Sequence, residues 1–342
     1  MKLSKFAVAL LAATTATAVQ AEGVLNIYNW GDYTNPELIA KFEAAYDVKV
    51  TITDYDSNET ALAKARLGNS GFDIAVPSQS HLPIWITEGL LLETNPGQME
   101  NGKNIAAEWA NPDFDPGRKY SAPWQHGTIG IAVNTDIYKG PLDSWSIAFD
   151  PPAELKGKVN VMPEMSDIIF AAIAYNGGEL CSADQEILTK AHATLVAAKE
   201  NWVAMEYGTI ELMLAGDFAA TIDWNGSAMR QRLENPAIAF VHPKEGVATW
   251  SDNVVVLKEA QNVENAKLFQ NFIMDPENAA LISAFARYSN GIAGSETFMP
   301  EDMKGAPELT IPEHALENKV NMRICEPEVM DIYTKIWTDV LK

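Results

Sequence analysis

The chain has 342 residues, with 25 lysines and arginines against 46 aspartates and glutamates, a formal charge of -21 at pH 7, and two cysteines. Nucleic acid is a poor partner for so acidic a surface, because phosphate binding needs a basic footprint. A cationic small molecule is a natural one, although most such charge serves solubility.

At the N terminus, MKLSK precedes the apolar run FAVALLAA and a small-residue stretch ending at Ala21, the pattern of a secretory signal peptide over residues 1–21. The apolar core is shorter than the roughly 20 residues a membrane-spanning helix requires. Cleavage there removes Lys2 and Lys5, leaving 321 residues that begin at Glu22 and carry a charge of -23. A chain of that length is expected to split into two domains. In an oxidising compartment Cys181 and Cys325 either pair or stay free, and no CxxC spacing points to zinc or redox chemistry.

Residues 24–28 read as a strand, and Pro36 opens a helical pattern to Tyr46 with Thr34 or Asn35 as its cap. A strand at 48–53, a helix at 57–67, a short strand at 73–76 and a helix at 82–89 follow. The middle of the chain repeats the alternation, with a strand at 128–133, helices at 167–175 and 184–200, and a strand at 219–223. A strand at 253–257, a helix at 263–274 and a last helix at 327–341 complete the set. This rhythm predicts an α/β fold of two lobes, each a mainly parallel sheet flanked by helices. No linker composition separates the lobes, so the chain is expected to cross between them more than once.

In open parallel sheets small molecules bind outside the carboxyl ends of the strands. Three predicted tips deliver Asn29-Trp30-Gly31-Asp32-Tyr33, Pro77-Ser78-Gln79-Ser80 and Trp224-Asn225-Gly226-Ser227. A fourth segment, Thr249-Trp250-Ser251-Asp252, joins an indole to a carboxylate immediately before another apolar strand. A single tryptophan is usually core. Recurrence at strand tips shifts the balance, because an indole face attracts a cation by about 0.5 to 2 kcal/mol and a nearby carboxylate binds an ammonium by charge-assisted hydrogen bonds. Aromatic rings also bury methylenes, at about 0.8 kcal/mol each. Indoles interleaved with acids suit a flexible chain of CH2 groups carrying ammonium ions.

Other signals fail. GQMENGKN from Gly97 approaches a phosphate loop, but Asn104 replaces the Ser or Thr that holds magnesium and no strand precedes it. The five histidines show no i, i+4 pairing, and no GxSxG elbow or Cys-His nucleophile system stands out. No catalytic residue, metal or cofactor is therefore expected. The sequon at Asn225-Gly226-Ser227 reads as a turn.

In this order, YNWGDY, YDSNET, FDIAVPS, DWNGSA, HPKEG and TWSDN resemble the polyamine-binding proteins of bacterial ABC importers, with the spermidine-preferring branch closest. The resemblance covers essentially the whole mature chain. It implies a monomeric periplasmic receptor of type II-like fold that closes over its ligand at a hinge and presents it to a membrane permease. It also implies crossings near residues 128, 250 and 300, hence one lobe of residues 22–127 plus 252–299 and another of 128–251 plus 300–342. By the same resemblance, Trp30 and Tyr33 belong to an aromatic wall with Ser78 beside them, and Trp224 and Trp250 stack on the methylene chain. Asp252 holds a central ammonium, Glu164 and Asp167 a terminal amine, and Tyr288 supplies a phenolic hydroxyl; Asp32 stands beside Trp30 and Tyr33 as a further candidate. Gly31, Ser80 and the Cys325-Glu326 region depart from the pattern, which bears on the preferred chain length. A receptor for another organic cation or an amino acid is the alternative within the fold, and a secreted glycoside hydrolase the alternative outside it.

Overall fold

A computed structural model describes residues 23–342, so the expected signal peptide lies outside the described residues. The first third builds β1 (Gly23–Trp30), α1 (Pro36–Tyr46), β2 (Val48–Tyr55), α2 (Asn58–Arg66), β3 (Ile74–Ala75) and α3 (Leu82–Thr87). Asn35 caps α1 by accepting from the Glu37 amide, with Pro36 at the first helical position where its missing N–H costs nothing. β1 pairs in parallel with both β2 and β3, the arrangement its flanking helices dictate.

The long β4 (Ser121–Asn134) leads into α4 (Ser146–Phe149), β5 (Val159–Val161), α5 (Met165–Tyr175), α6 (Gln185–Lys199) and β6 (Trp202–Ala204). Next come α7 (Thr209–Ala215), β7 (Ala220–Trp224), α8 (Asn225–Glu234), β8 (Ile238–Val241) and β9 (Val247–Val256). The chain ends with α9 (Val263–Ile273), α10 (Pro276–Ala286), α11 (Glu313–Leu316), β10 (Lys319–Asn321) and α12 (Pro327–Val340). β5 is parallel to β6 and β7, so a second α/β unit forms.

Each unit has its own interior. Leu25, Phe42, Ile74, Trp124, Val254 and Phe269 share one apolar core, while Ile131, Trp145, Val161, Ile169, Leu195 and Ile222 share the other. Trp224 and Trp250 pack against both. The strand order β2-β1-β3-β9-β4-β7-β5-β6 shows how the two are joined: β9 and β4 lie side by side, antiparallel, from Ser121 opposite Val255 to Thr128 opposite Thr249. Along β4, Trp124 sits in the first core and Ile129 in the second; along β9, Ala248 sits in the second and Val254 in the first.

These two strands are longer than the sequence suggests. Apolar content marks only 128–133 and 253–257, because the stretches SAPWQHG and VATWSD mix polar residues, proline and glycine. They are extended nonetheless, since each supplies the other's hydrogen bonds. The Trp250 to Asp252 segment therefore lies within β9 rather than ahead of it. A second correction concerns residues 225–227, which form the first turn of α8 and not a loop turn. The Asn225 side chain fixes that start by accepting from the Thr128 amide at 3.0 Å and donating to the Glu308 carbonyl at 3.2 Å.

Cys181 and Cys325 form a disulfide across a separation of 144 residues, tying the loop between α5 and α6 to the start of α12. Chain entropy assigns such a loop at most about 5 kcal/mol. The Cys181→Ser/Cys325→Ser protein should melt several degrees lower than the parent by scanning calorimetry, and reductant should move only the parent. An unchanged melting temperature would show that the bond constrains nothing the fold needs.

Candidate ligand-binding site

The ten residues singled out in the sequence, Trp30, Asp32, Tyr33, Ser78, Glu164, Asp167, Trp224, Trp250, Asp252 and Tyr288, all line one cavity of about 220 Å3 at the junction of the two cores. β1 ends by delivering Trp30, whose indole N–H donates to the Val76 carbonyl at 3.0 Å and whose ring leans on Tyr55 at 4.7 Å. Ser78 follows β3 and is held by Asn58 of α2, which accepts from its amide and donates to its hydroxyl. Trp224 closes β7, and Tyr288 follows α10 with its hydroxyl 3.0 Å from that of Ser227. Trp250 stands edge-on to Tyr288 at 4.9 Å.

Asp252 is brought to the cavity by the middle of β9, where the strand passes from one core to the other. Its carboxylate accepts from the Ser78 hydroxyl at 2.6 Å and from the Tyr33 hydroxyl at 2.9 Å. On the opposite wall Glu164 is the N-cap residue of α5 and Asp167 sits in its first turn, so three-residue spacing and the helix dipole place both acids at one anion-favouring end. Asp167 accepts from the Trp224 indole N–H at 3.1 Å. The indole is thereby oriented by the acid beside it.

All three carboxyls are buried, Asp252 at 5%, Glu164 at 7% and Asp167 at 8% exposure. Among the described residues none of the three forms an ion pair with a Lys, Arg or His. Desolvation pushes Asp252 up to about 7 against the bonds from Ser78 and Tyr33. Asp167 also rises to about 7, chiefly by desolvation, with the Trp224 bond opposing. Burial and then the neighbouring Asp167 hold Glu164 well above the usual carboxylate range. Three acids that pay desolvation without a fixed cation make a site for something positively charged. Among the described residues no cluster of His, Cys, Asp or Glu is arranged to hold a metal ion.

Asp32 behaves differently. It lies at the rim with its side chain 53% exposed, and Arg230 of α8 meets its carboxylate at 2.7 Å. Reading 225–227 as a turn hides the helix that carries Arg230 one turn past Ser227 to the rim. Tyr207, also in the lining, was missed because it belongs to no regular element, although its ring packs 5.4 Å from Trp224. Of the departures, Gly31 and Ser80 line the cavity, Ser80 beside His81, whose ring nitrogen is 3.1 Å from its hydroxyl. From the C-terminal region Met322 reaches the lining, while Cys325 is spent on the disulfide.

One buried acid supports the wall without lining it. Asp223 accepts from the Thr209 hydroxyl at 2.8 Å, the Trp224 amide at 2.8 Å and the Gln231 amide group at 2.7 Å. These bonds fix the turn from β7 into α8, and with it the place of Trp224.

Two α/β cores joined by paired crossing strands, with one cavity lined from both, define a periplasmic-binding-protein fold. Residues 37–311 match the family described as bacterial extracellular solute-binding protein, and the chain belongs to that family. Similar chains include the putrescine-binding periplasmic protein SpuD of Pseudomonas aeruginosa, 29% identical over 99% of both chains. The spermidine/putrescine-binding periplasmic protein of Escherichia coli is 27% identical over 86% of this chain and 85% of its own. Among solved structures, a putative spermidine/putrescine ABC transporter from Listeria monocytogenes superposes with a TM-score of 0.87 at 29% identity, covering 93% of this chain and 99% of that one.

Burial sets a pH dependence. Asp223, like Asp167 and Asp252, has a folded-state pKa raised to about 7 by desolvation. These three acids and Glu164 hold more protons in the folded chain than in the unfolded one between about pH 4 and 7. They outnumber His126 and His242, which burial lowers to about 4 and which act in the opposite sense, so stability falls as pH rises through that window. The ligand-free protein should melt several degrees lower at pH 8 than at pH 5.5. Asp223→Asn should flatten the slope measured in a calorimetric pH series, and a slope of opposite sign would contradict the burial argument.

Proposed function

We propose that the chain is a non-catalytic receptor that captures a polyamine in the cleft between its lobes and delivers it to the permease of an ABC importer. The carrying observation is the set of buried carboxyls Asp252, Glu164 and Asp167, which among the described residues have no ion-pair partner, sharing one cavity with Trp30, Trp224 and Trp250. The indoles and the rings of Tyr33 and Tyr288 wrap the methylenes, Asp252 and Ser78 hold one ammonium, and the Glu164/Asp167 pair holds another. Asp32 acts at the rim. Two or three indole contacts at about 1 kcal/mol each, with buried methylenes and desolvated ion pairs, reach the roughly 8 kcal/mol of micromolar binding.

The names carried by similar chains support the ligand class: putrescine for the Pseudomonas relative, spermidine and putrescine for the Escherichia one. In this reading a cleavable signal sends the chain to the periplasm, where it works as a monomer. One lobe comprises residues 22–127 and 252–299, the other 128–251 and 300–342, and the paired crossing strands β4 and β9 serve as the hinge.

Titration calorimetry with putrescine, spermidine and spermine tests the class, and heat from none of the three would refute it. Asp252→Asn should weaken the best ligand by tenfold or more, because it removes the charge that a buried ammonium requires. An unchanged affinity would remove Asp252 from the site.

A further inference from the structure

Charge is distributed unevenly along the cavity. Its buried part holds Asp252, Glu164 and Asp167, while its rim holds a cation, Arg230, whose side chain is 25% exposed. Arg230 is fixed from two sides: Asp32 meets its Nη1 at 2.7 Å, and its guanidinium lies 5.5 Å from the centre of the Phe285 ring of α10. Position 230 is three residues beyond Ser227 on α8, and Ser227 contacts Tyr288 in the lining, so the helix face that closes the cavity carries the guanidinium to its mouth.

We propose that Arg230 is a specificity-determining residue that limits the ligand to two ammonium groups, so that the receptor selects a diamine over a triamine. This rests on the polyamine reading above. One ammonium is matched by Asp252 and a second by the Glu164/Asp167 pair, the two buried acidic positions of the cavity lining that, among the described residues, have no ion-pair partner. A third ammonium on a longer chain reaches the rim. On the α8 side of that rim the acid, Asp32, is already paired with the guanidinium, while the exposed Glu211 lines the cavity from the first turn of α7. A longer cation that extends toward Asp32 therefore meets a guanidinium where a free carboxylate would have given attraction, a selection made by an unfavourable contact with the wrong ligand.

The test is the ratio of dissociation constants for spermidine and putrescine, measured by calorimetry on the mature protein freed of retained ligand. The parent should favour putrescine by tenfold or more, and Arg230→Lys, which keeps the charge, should preserve that preference. Arg230→Gln should reduce the ratio at least fivefold, mainly through tighter spermidine binding as Asp32 becomes available. Asp32→Asn, which strips the guanidinium of its counter-charge, should widen the ratio. A purely structural role for Arg230 moves both affinities together and leaves the ratio in place, and that outcome overturns the inference alone, as does a parent that prefers spermidine. Absence of binding by either amine fails the polyamine reading and takes this inference with it.

Discussion

The interaction on which the site depends is an unfavourable one: three carboxyl groups buried in one cavity with, among the described residues, no ion-pair partner. An isolated buried charge costs several kcal/mol even after relaxation. The fold meets part of that cost locally. Ser78 and Tyr33 donate to Asp252, the Trp224 indole donates to Asp167, and the N-terminus of α5 supplies a partial positive charge to Glu164 and Asp167. Desolvation outweighs these donors and keeps all three pKa values raised. In the proposed reading a ligand supplies the counter-charge, and a chain of methylenes between ammonium groups matches both the acids and the indoles that line the cavity with them.

The scaffold explains how residues so far apart in sequence share one cavity. Tyr33 and Asp252 are 219 residues apart, yet their side chains meet because β9 returns beside β3 and continues into the second core. Asp252 and Trp250 are two residues apart on a strand, so they point to the same face. A strand crossing from one core to the other thus brings an acid and an aromatic to the junction together. Gln79 reinforces the crossing: its side chain accepts from the Ser251 amide and donates to the Thr249 and Met322 carbonyls, tying the loop after β3 to β9 and to the C-terminal segment.

Much of this was legible in the sequence where short-range rules suffice. Alternating apolar runs gave β1, β2 and β7, Asn35 and Pro36 marked the start of α1, and tryptophan at strand tips pointed to the cavity. The polar halves of β4 and β9 were not legible, because their extended state depends on a partner more than 100 residues away. α8 was hidden for a related reason. Its Asn-Gly-Ser opening has the composition of a turn, and only the tertiary bonds of Asn225 to Thr128 and Glu308 commit it to a helix. With α8 unseen, Arg230 had no predicted position, and Asp32 was left looking like a free acid.

That misplacement shows how one fold can be tuned within a ligand class. The buried acids set how many cations the cavity must receive, and moving them would disturb the packing of α5 and β9. The rim is cheaper to change: Asp32 and Arg230 are partly exposed, and neither is a member of either core. In the proposal above, a single side chain in the middle of α8 sets the charge that a further ammonium meets at the Asp32 side of the rim, where partial dehydration makes Coulomb interactions several-fold stronger than in water. Under that proposal, selectivity for chain length is set at the mouth by the Asp32–Arg230 pair, while the buried acids fix the ligand class.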